Sequence, residues 1–119
     1  MCELTVTSTT HVAELREGNI KEYEVSPEDL GLKFGKLEEI IIDTPEESAI
    51  IIERIFSGKD KGTAREIALA NAAGALVVSG KVESLEEGVE LAAETVDNGK
   101  AAEKLNDLIN YSFANQDAY

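Results

Sequence analysis

Few residues of this chain are of types that could do covalent chemistry. There is one histidine, His11, and one cysteine, Cys2. Nucleophilic catalysis needs a Ser or Cys beside a base, and no serine stands at a recognisable spacing from His11. A lone histidine in a short β segment is far more often a surface residue. Phosphate cradling needs a glycine-rich turn that exposes backbone amides at a helix start. The basic, flexible stretch Gly58, Lys59, Lys61 and Gly62 lacks that two-sided glycine pattern and reads as an interhelix loop. Asn71 sits in an apolar segment, where an amide could contact a ligand; a structural hydrogen bond to a neighbouring loop is the commoner use. Glu3, taken alone, reads as an ordinary terminal carboxylate. No spaced Cys/His set exists for zinc. The residues by themselves therefore assign no catalytic and no cofactor-binding position.

The elements that must carry these residues are legible. Residues 1–26 read as β: Thr10 to Leu15 and Ile20 to Val25 are short runs with β-branched or aromatic members. Between them Arg16-Glu17-Gly18-Asn19 forms a turn, in which Gly18 and Asn19 supply residues that tolerate positive φ. A single hairpin is marginal in water, so it must pack on something else. Ser26-Pro27-Glu28-Asp29 then opens a short helical turn that Gly31 stops. Leu37 to Ile42 is an apolar patch, either strand or helical turn.

Three longer helices share one start signal. Thr44-Pro45-Glu46-Glu47, Thr63-Ala64-Arg65-Glu66 and Ser84-Leu85-Glu86-Glu87 are capping boxes, in which the hydroxyl accepts from an amide three residues on and the Glu reaches back. Gly58, Gly80 and Gly99 supply the stops. The middle helix, Ile67 to Val78, is apolar on every face, which predicts burial on all sides. Its neighbours are amphipathic. A last helix runs from Ala101 to Asn110, and residues 113–119 are expected to fray. The chain reads as a single domain or part of one: a hairpin region (1–26), a helical region (27–112) and the tail. The expected fold class is α+β, a short β-hairpin plus four to five helices. Helices outnumber the strands available to cover them, so the expected setting is a larger α/β domain whose sheet lies elsewhere.

Composition bounds the partners. Eleven basic against 24 acidic side chains leave a net charge of −13. That field repels phosphate backbones and anionic membranes, so neither nucleic acid nor membrane is an expected partner. So much Glu is expected to form a set of solvated helix faces. The N-terminus has no basic segment followed by an apolar run, no apolar run is long enough for a membrane span, and one cysteine cannot form an internal disulfide. The expected compartment is the cytoplasm.

The order of residues carries more. Glu3-Leu4, then Thr10-His11-Val12-Ala13-Glu14-Leu15, Gly18, and Glu22-Tyr23-Glu24-Val25-Ser26-Pro27-Glu28-Asp29-Leu30-Gly31-Leu32 resemble the C-terminal part of anthranilate phosphoribosyltransferase. The resemblance continues through PEESAIIIERIFSGKDKG, IALANAAGALVVSGKVESLEEGVELA and DNGKAAEKLNDLI, covering residues 1 to about 112. Its most specific parts are Asn71 to Leu76 and Leu85 to Gly88. It implies a transferase (a glycosyltransferase) of tryptophan biosynthesis that moves phosphoribose from phosphoribosyl pyrophosphate to anthranilate with Mg²⁺. It further implies that the glycine-rich pyrophosphate loop and the basic anthranilate motif lie upstream, so that the segment is a scaffold inactive alone. By the same resemblance Glu3 matches the Glu of an acidic Asp-Glu pair that positions Mg²⁺, and Cys2 stands where the Asp is expected. A thiol is a poor ligand for this hard ion, so weak Mg²⁺ binding is implied. The expected partners are a second copy, forming a homo-oligomer, or a chain carrying the missing N-terminal part. The rival reading is a freestanding acidic helical interaction module without catalysis.

Overall fold

The computed structural model describes residues 3–114. Two antiparallel strands, β1 (Thr10–Arg16) and β2 (Asn19–Val25), pair from Thr10 with Val25 to Arg16 with Asn19. Single 3-10 turns follow at Glu28–Leu30 and Leu37–Glu39, then four helices: α1 (Pro45–Phe56), α2 (Thr63–Val78), α3 (Leu85–Asp97) and α4 (Lys100–Ala114). This is an α+β fold, with the hairpin and helix number expected.

The hairpin loop is two residues shorter than expected, each strand running one residue further into it. Its two central residues are Glu17 (φ +51°) and Gly18 (φ +80°), while Asn19 is already paired in β2. Positive φ at both positions matches the right-handed twist of the flanking strands. Along β1 the side chains alternate, so Thr10, Val12 and Glu14 are half-buried while His11, Ala13 and Leu15 face out. Val12 lies opposite Tyr23, and Thr10 opposite the buried Val25. That face carries the hairpin onto the helices.

Two of the three capping boxes form. Thr44 Oγ1 accepts from the Glu47 amide and Ser84 Oγ from the Glu87 amide, each at 3.2 Å. Each Glu reaches back one residue further than the cap, to the amides of Asp43 and Glu83. The third box does not form. Gly62 is the N-cap of α2, the Thr63 hydroxyl donates to Glu39, and Glu66 accepts from the Lys33 amide. Both side chains are spent on tying the 33–39 segment to α2, a tertiary use that outcompetes the local one. The glycine stops hold. Gly58 and Gly80 are left-handed and close six-residue loops, Lys59 N to Arg54 O and Lys81 N to Leu76 O. Gly99 likewise ends α3. α4 runs past its expected end at Asn110 to Ala114, and residues 115–119 of the expected tail fall outside the described residues.

The core lies where α2 and α3 cross. Leu69, Ala70 and Ala73 meet Val89, Ala92 and Val96, and Val6, Val25, Leu30, Leu32 and Ile55 close the edges. Small residues on α2 let the two backbones approach. The expectation that α2 is buried on every side is not met, because its Ala68, Ala75 and Val78 face is exposed, Val78 by 89%. α3 covers one side of α2, and no other described element covers the opposite one. Phe34, Leu37, Ile41 and Ile50 are exposed as well, so the apolar surface is more than this fold buries by itself. No helix among the described residues is long and apolar enough to cross a membrane.

Candidate functional site

The segment ahead of β1 is rich in oxygen. Thr5, Thr7, Ser8, Thr9 and Thr10 supply five hydroxyls within six positions. With Glu3 they line a hollow of about 300 Å³. The Thr5 hydroxyl lies 3.0 Å from that of Thr7 and accepts from the Thr7 amide at 3.1 Å. Thr10 Oγ1 accepts from the Thr5 amide at 3.2 Å. Those bonds fold the segment into a compact turn whose outer side is carboxylate and hydroxyl.

Asn71 holds this segment from below. Its Oδ1 accepts from the Leu4 amide at 3.1 Å, and its Nδ2 donates to the Leu4 carbonyl at 2.8 Å. The same Nδ2 donates to the Ile67 carbonyl, one turn back in α2, at 2.9 Å. Every polar group of the amide is thereby used, so Asn71 is the structural hydrogen-bonder that its place in an apolar helix favours. Next along, Val6 is fully buried and its carbonyl accepts from the Gly35 amide at 2.9 Å.

The chemistry of this donor set bears on Mg²⁺. Carboxylate and hydroxyl oxygens are the hard donors that ion prefers, and it is commonly held by one or two carboxylates, waters and substrate phosphates instead of an all-protein cage. The residues present fit that mode. Among the described residues no group of three His, Cys, Asp or Glu converges to make a closed cage. Cys2, where the resemblance expects an aspartate, lies outside the described residues.

The other singled-out residues go elsewhere. His11 is exposed on the outer face of the hairpin, 3.7 Å from Glu22, far from a catalytic arrangement. Gly58 ends α1 and Gly62 caps α2, its amide donating to Asp60. Lys61 pairs with Asp97 at 3.0 Å, so the stretch is an interhelix loop. Nη2 of the buried Arg65 also donates to both carboxylate oxygens of Asp97, each at 3.0 Å. The Lys61 hydrogen bond, the largest effect, outweighs the opposing effect of burial, and with the Arg65 bond it holds the Asp97 carboxyl below its ordinary range. This network closes the helical end of the molecule and is structural.

Sequence reasoning passed over the hydroxyl run. Its signal was available: five hydroxyl side chains in six positions, beginning two residues after an acidic one. Nothing local showed that they share one hollow, because Val6 interrupts them and turns inward.

A family model described as glycosyl transferase family, a/b domain, matches residues 1–102. The chain is 42% identical over 113 residues to the anthranilate phosphoribosyltransferase of Desulfosudis oleivorans, covering 95% of this chain and 33% of that protein. It is 44% identical over 106 residues to the enzyme of the same name from Bacillus subtilis, covering 89% and 31%. The crystal structure of anthranilate phosphoribosyltransferase from Thermus thermophilus superposes with a TM-score of 0.82 at 32% identity, over 92% of this chain and 32% of that one. A Saccharomyces cerevisiae variant of that enzyme, solved with Mg bound, superposes with a TM-score of 0.80 at 25% identity. The chain thus spans about a third of the length of the relatives it matches. By the extent of the family match and the retained fold, this chain belongs to the glycosyl transferase family with that a/b domain.

Proposed function

We propose that the chain forms the C-terminal third of an anthranilate phosphoribosyltransferase, working in tryptophan biosynthesis in the cytoplasm. The whole enzyme moves phosphoribose from phosphoribosyl pyrophosphate to the amino group of anthranilate. What carries this reading is the agreement of sequence and fold over nine-tenths of the chain with proteins of that name. In it, Glu3 holds Mg²⁺ at the rim of the hydroxyl-lined hollow. The ion, when bound, neutralises the charge of the pyrophosphate leaving group. Thr5, Thr7 and Thr10 order the turn so that Glu3 stands at its edge, where it would hold the ion. The exposed apolar faces of α1 and α2 are where the remaining two thirds of the enzyme, including its phosphate loop, pack.

The test is complementation. The chain is mixed with a polypeptide carrying the part of the Bacillus subtilis relative that precedes the matched region, and anthranilate turnover is measured. Turnover by the mixture but by neither part alone is expected. Turnover by this chain alone, above a denatured control, overturns the scaffold role; no complex and no turnover overturns the assignment.

One observation favours the second reading, a freestanding interaction module. Ile52 and Phe56 of α1 with Ala101, Leu105 and Leu108 of α4 line an open apolar groove of about 1030 Å³. Under that reading the complementing polypeptide is not bound at all.

A further inference from the structure

We infer that Asn71 is the positioning residue for Glu3, the latch that fixes where the carboxylate stands relative to the hydroxyl-lined hollow. The inference rests on the reading of Glu3 as a metal carboxylate.

The geometry of the Leu4 pairing makes the case. Asn71 bonds both the N–H and the C=O of Leu4, as a neighbouring strand would. A planar amide can do this because it carries an acceptor and a donor side by side. Its third bond, to Ile67 O, consumes the remaining donor capacity and sets the rotamer. A flipped amide would put N–H against N–H and oxygen against two carbonyls, so one orientation alone satisfies all partners. Leu4 is held by its side chain too. Its Cδ1 lies against the helix at Gly74, where an added Cβ would come within 3.4 Å.

Holding Leu4 on two sides decides the direction of its neighbours. Leu4 is turned onto α2, while the residues on either side of it, Glu3 and Thr5, both line the hollow. Glu3 has an exposed side chain, and the fixed backbone of Leu4 beside it is what limits where that side chain can go. Gln would place the amide one methylene too far out, Asp would lack the donors, and Leu would leave both backbone groups of Leu4 without their partner.

The experiment uses the intact 119-residue chain, ¹⁵N-labelled, with MnCl₂ as a paramagnetic stand-in for Mg²⁺. In the unaltered chain Mn²⁺ is expected to broaden the amide signals of residues 5–10 before those of α3. Glu3→Gln should abolish that selectivity. Asn71→Leu keeps the branched shape and the number of heavy atoms and raises helix propensity, yet removes all three bonds. It should raise the Mn²⁺ concentration for half-broadening about tenfold, the lower end of what losing a ligand-orienting hydrogen bond costs in metal affinity, with α3 signals unmoved. A merely structural role would change unfolding but leave that concentration unchanged. No selective broadening in the unaltered chain, or none lost in Glu3→Gln, overturns the metal reading and the latch with it. Loss in Glu3→Gln with Asn71→Leu unchanged overturns the latch alone. Should Asn71→Leu fail to fold, hydrogen exchange decides in the unaltered chain: a Leu4 amide protected well beyond an unfolded peptide supports the latch, and one exchanging at the unfolded rate overturns it.

Discussion

Gly88 of α3 rests directly on Ala73 of α2. A Cβ placed on Gly88 would fall 2.8 Å from both the Cα and the Cβ of Ala73 and 3.0 Å from its carbonyl oxygen. Both residues are buried at the helix crossing. The two parts of the sequence most specific to the family, around Asn71–Leu76 and Leu85–Gly88, are therefore the two sides of one contact. Their residue types follow from how closely two backbones must approach there.

Gly88→Ala should consequently destabilise the fold. Removing a helical glycine favours the helix by up to about 1 kcal/mol. The inserted methyl meets backbone that cannot move aside without separating α2 from α3, and overpacking of this kind costs typically about 1–3 kcal/mol. The steric effect should win. Chemical unfolding followed by circular dichroism checks it, and a midpoint that rises would show that the helices slide apart cheaply.

Asp97 should confer acid-sensitive stability. Its carboxyl titrates below its ordinary value because Lys61 and then Arg65 bond the charged form. A depressed folded value means that the contribution is present above the unfolded value near pH 4 and is lost as pH falls through the folded one. Asp97→Asn should therefore lower stability at neutral pH, with the difference from the unaltered chain shrinking as pH falls through the folded value. At neutral pH a loss of about 1–3 kcal/mol is expected, since Arg65 is left buried without its carboxylate; the exposure of Asp97 puts it toward the lower end. A pH series of unfolding midpoints reads both features. A gap that persists or widens in acid would rule the network out as its source.

Cys2→Asp should strengthen Mg²⁺ binding. The change replaces a soft thiol by a hard carboxylate next to Glu3, giving two of the one or two carboxylates that this ion commonly uses. Titration calorimetry of the chain, alone and with the complementing polypeptide, measures it. An unchanged affinity would remove Glu3 from the metal site.

Association should grow with salt. Leu15 and Ile20, paired at the end of the hairpin, are 71% and 72% exposed, and the α2 face at Ala68, Ala75 and Val78 is open. Apolar area of this kind draws copies or partners together, while the charge of −13 opposes contact. Salt at 0.1 M screens charges beyond about 10 Å, so light scattering should report a higher mass as salt is added. A monomeric mass at both extremes would show that these faces are too dispersed to hold a second copy.

Local chemistry was enough to read much of this protein. A Ser or Thr hydroxyl three residues ahead of a Glu, or a glycine at a helix end, acts through atoms within one turn, so the starts of α1 and α3 and the stops at Gly58, Gly80 and Gly99 followed from residue order. The same held for the hairpin, whose strands each run one residue further into the turn because Glu17 accepts a positive φ that the twist of the strands rewards. The order of residues also carried the family, since the α2–α3 contact imprints small residues on both segments. What tertiary structure alone decided were the competitions between distant partners. Thr63 and Glu66 have the pattern of a cap, but Glu39 and the Lys33 amide claim them. The apolar perimeter of α2 is covered on one side only, a matter of which elements reach it. Asn71 met Leu4 across 67 positions of sequence, and the hydroxyls of residues 5–10 closed a hollow because Val6 turned into the core. Burial and pairing between residues far apart in the chain leave little trace in local pattern, and it is there that the placement of Glu3 was settled.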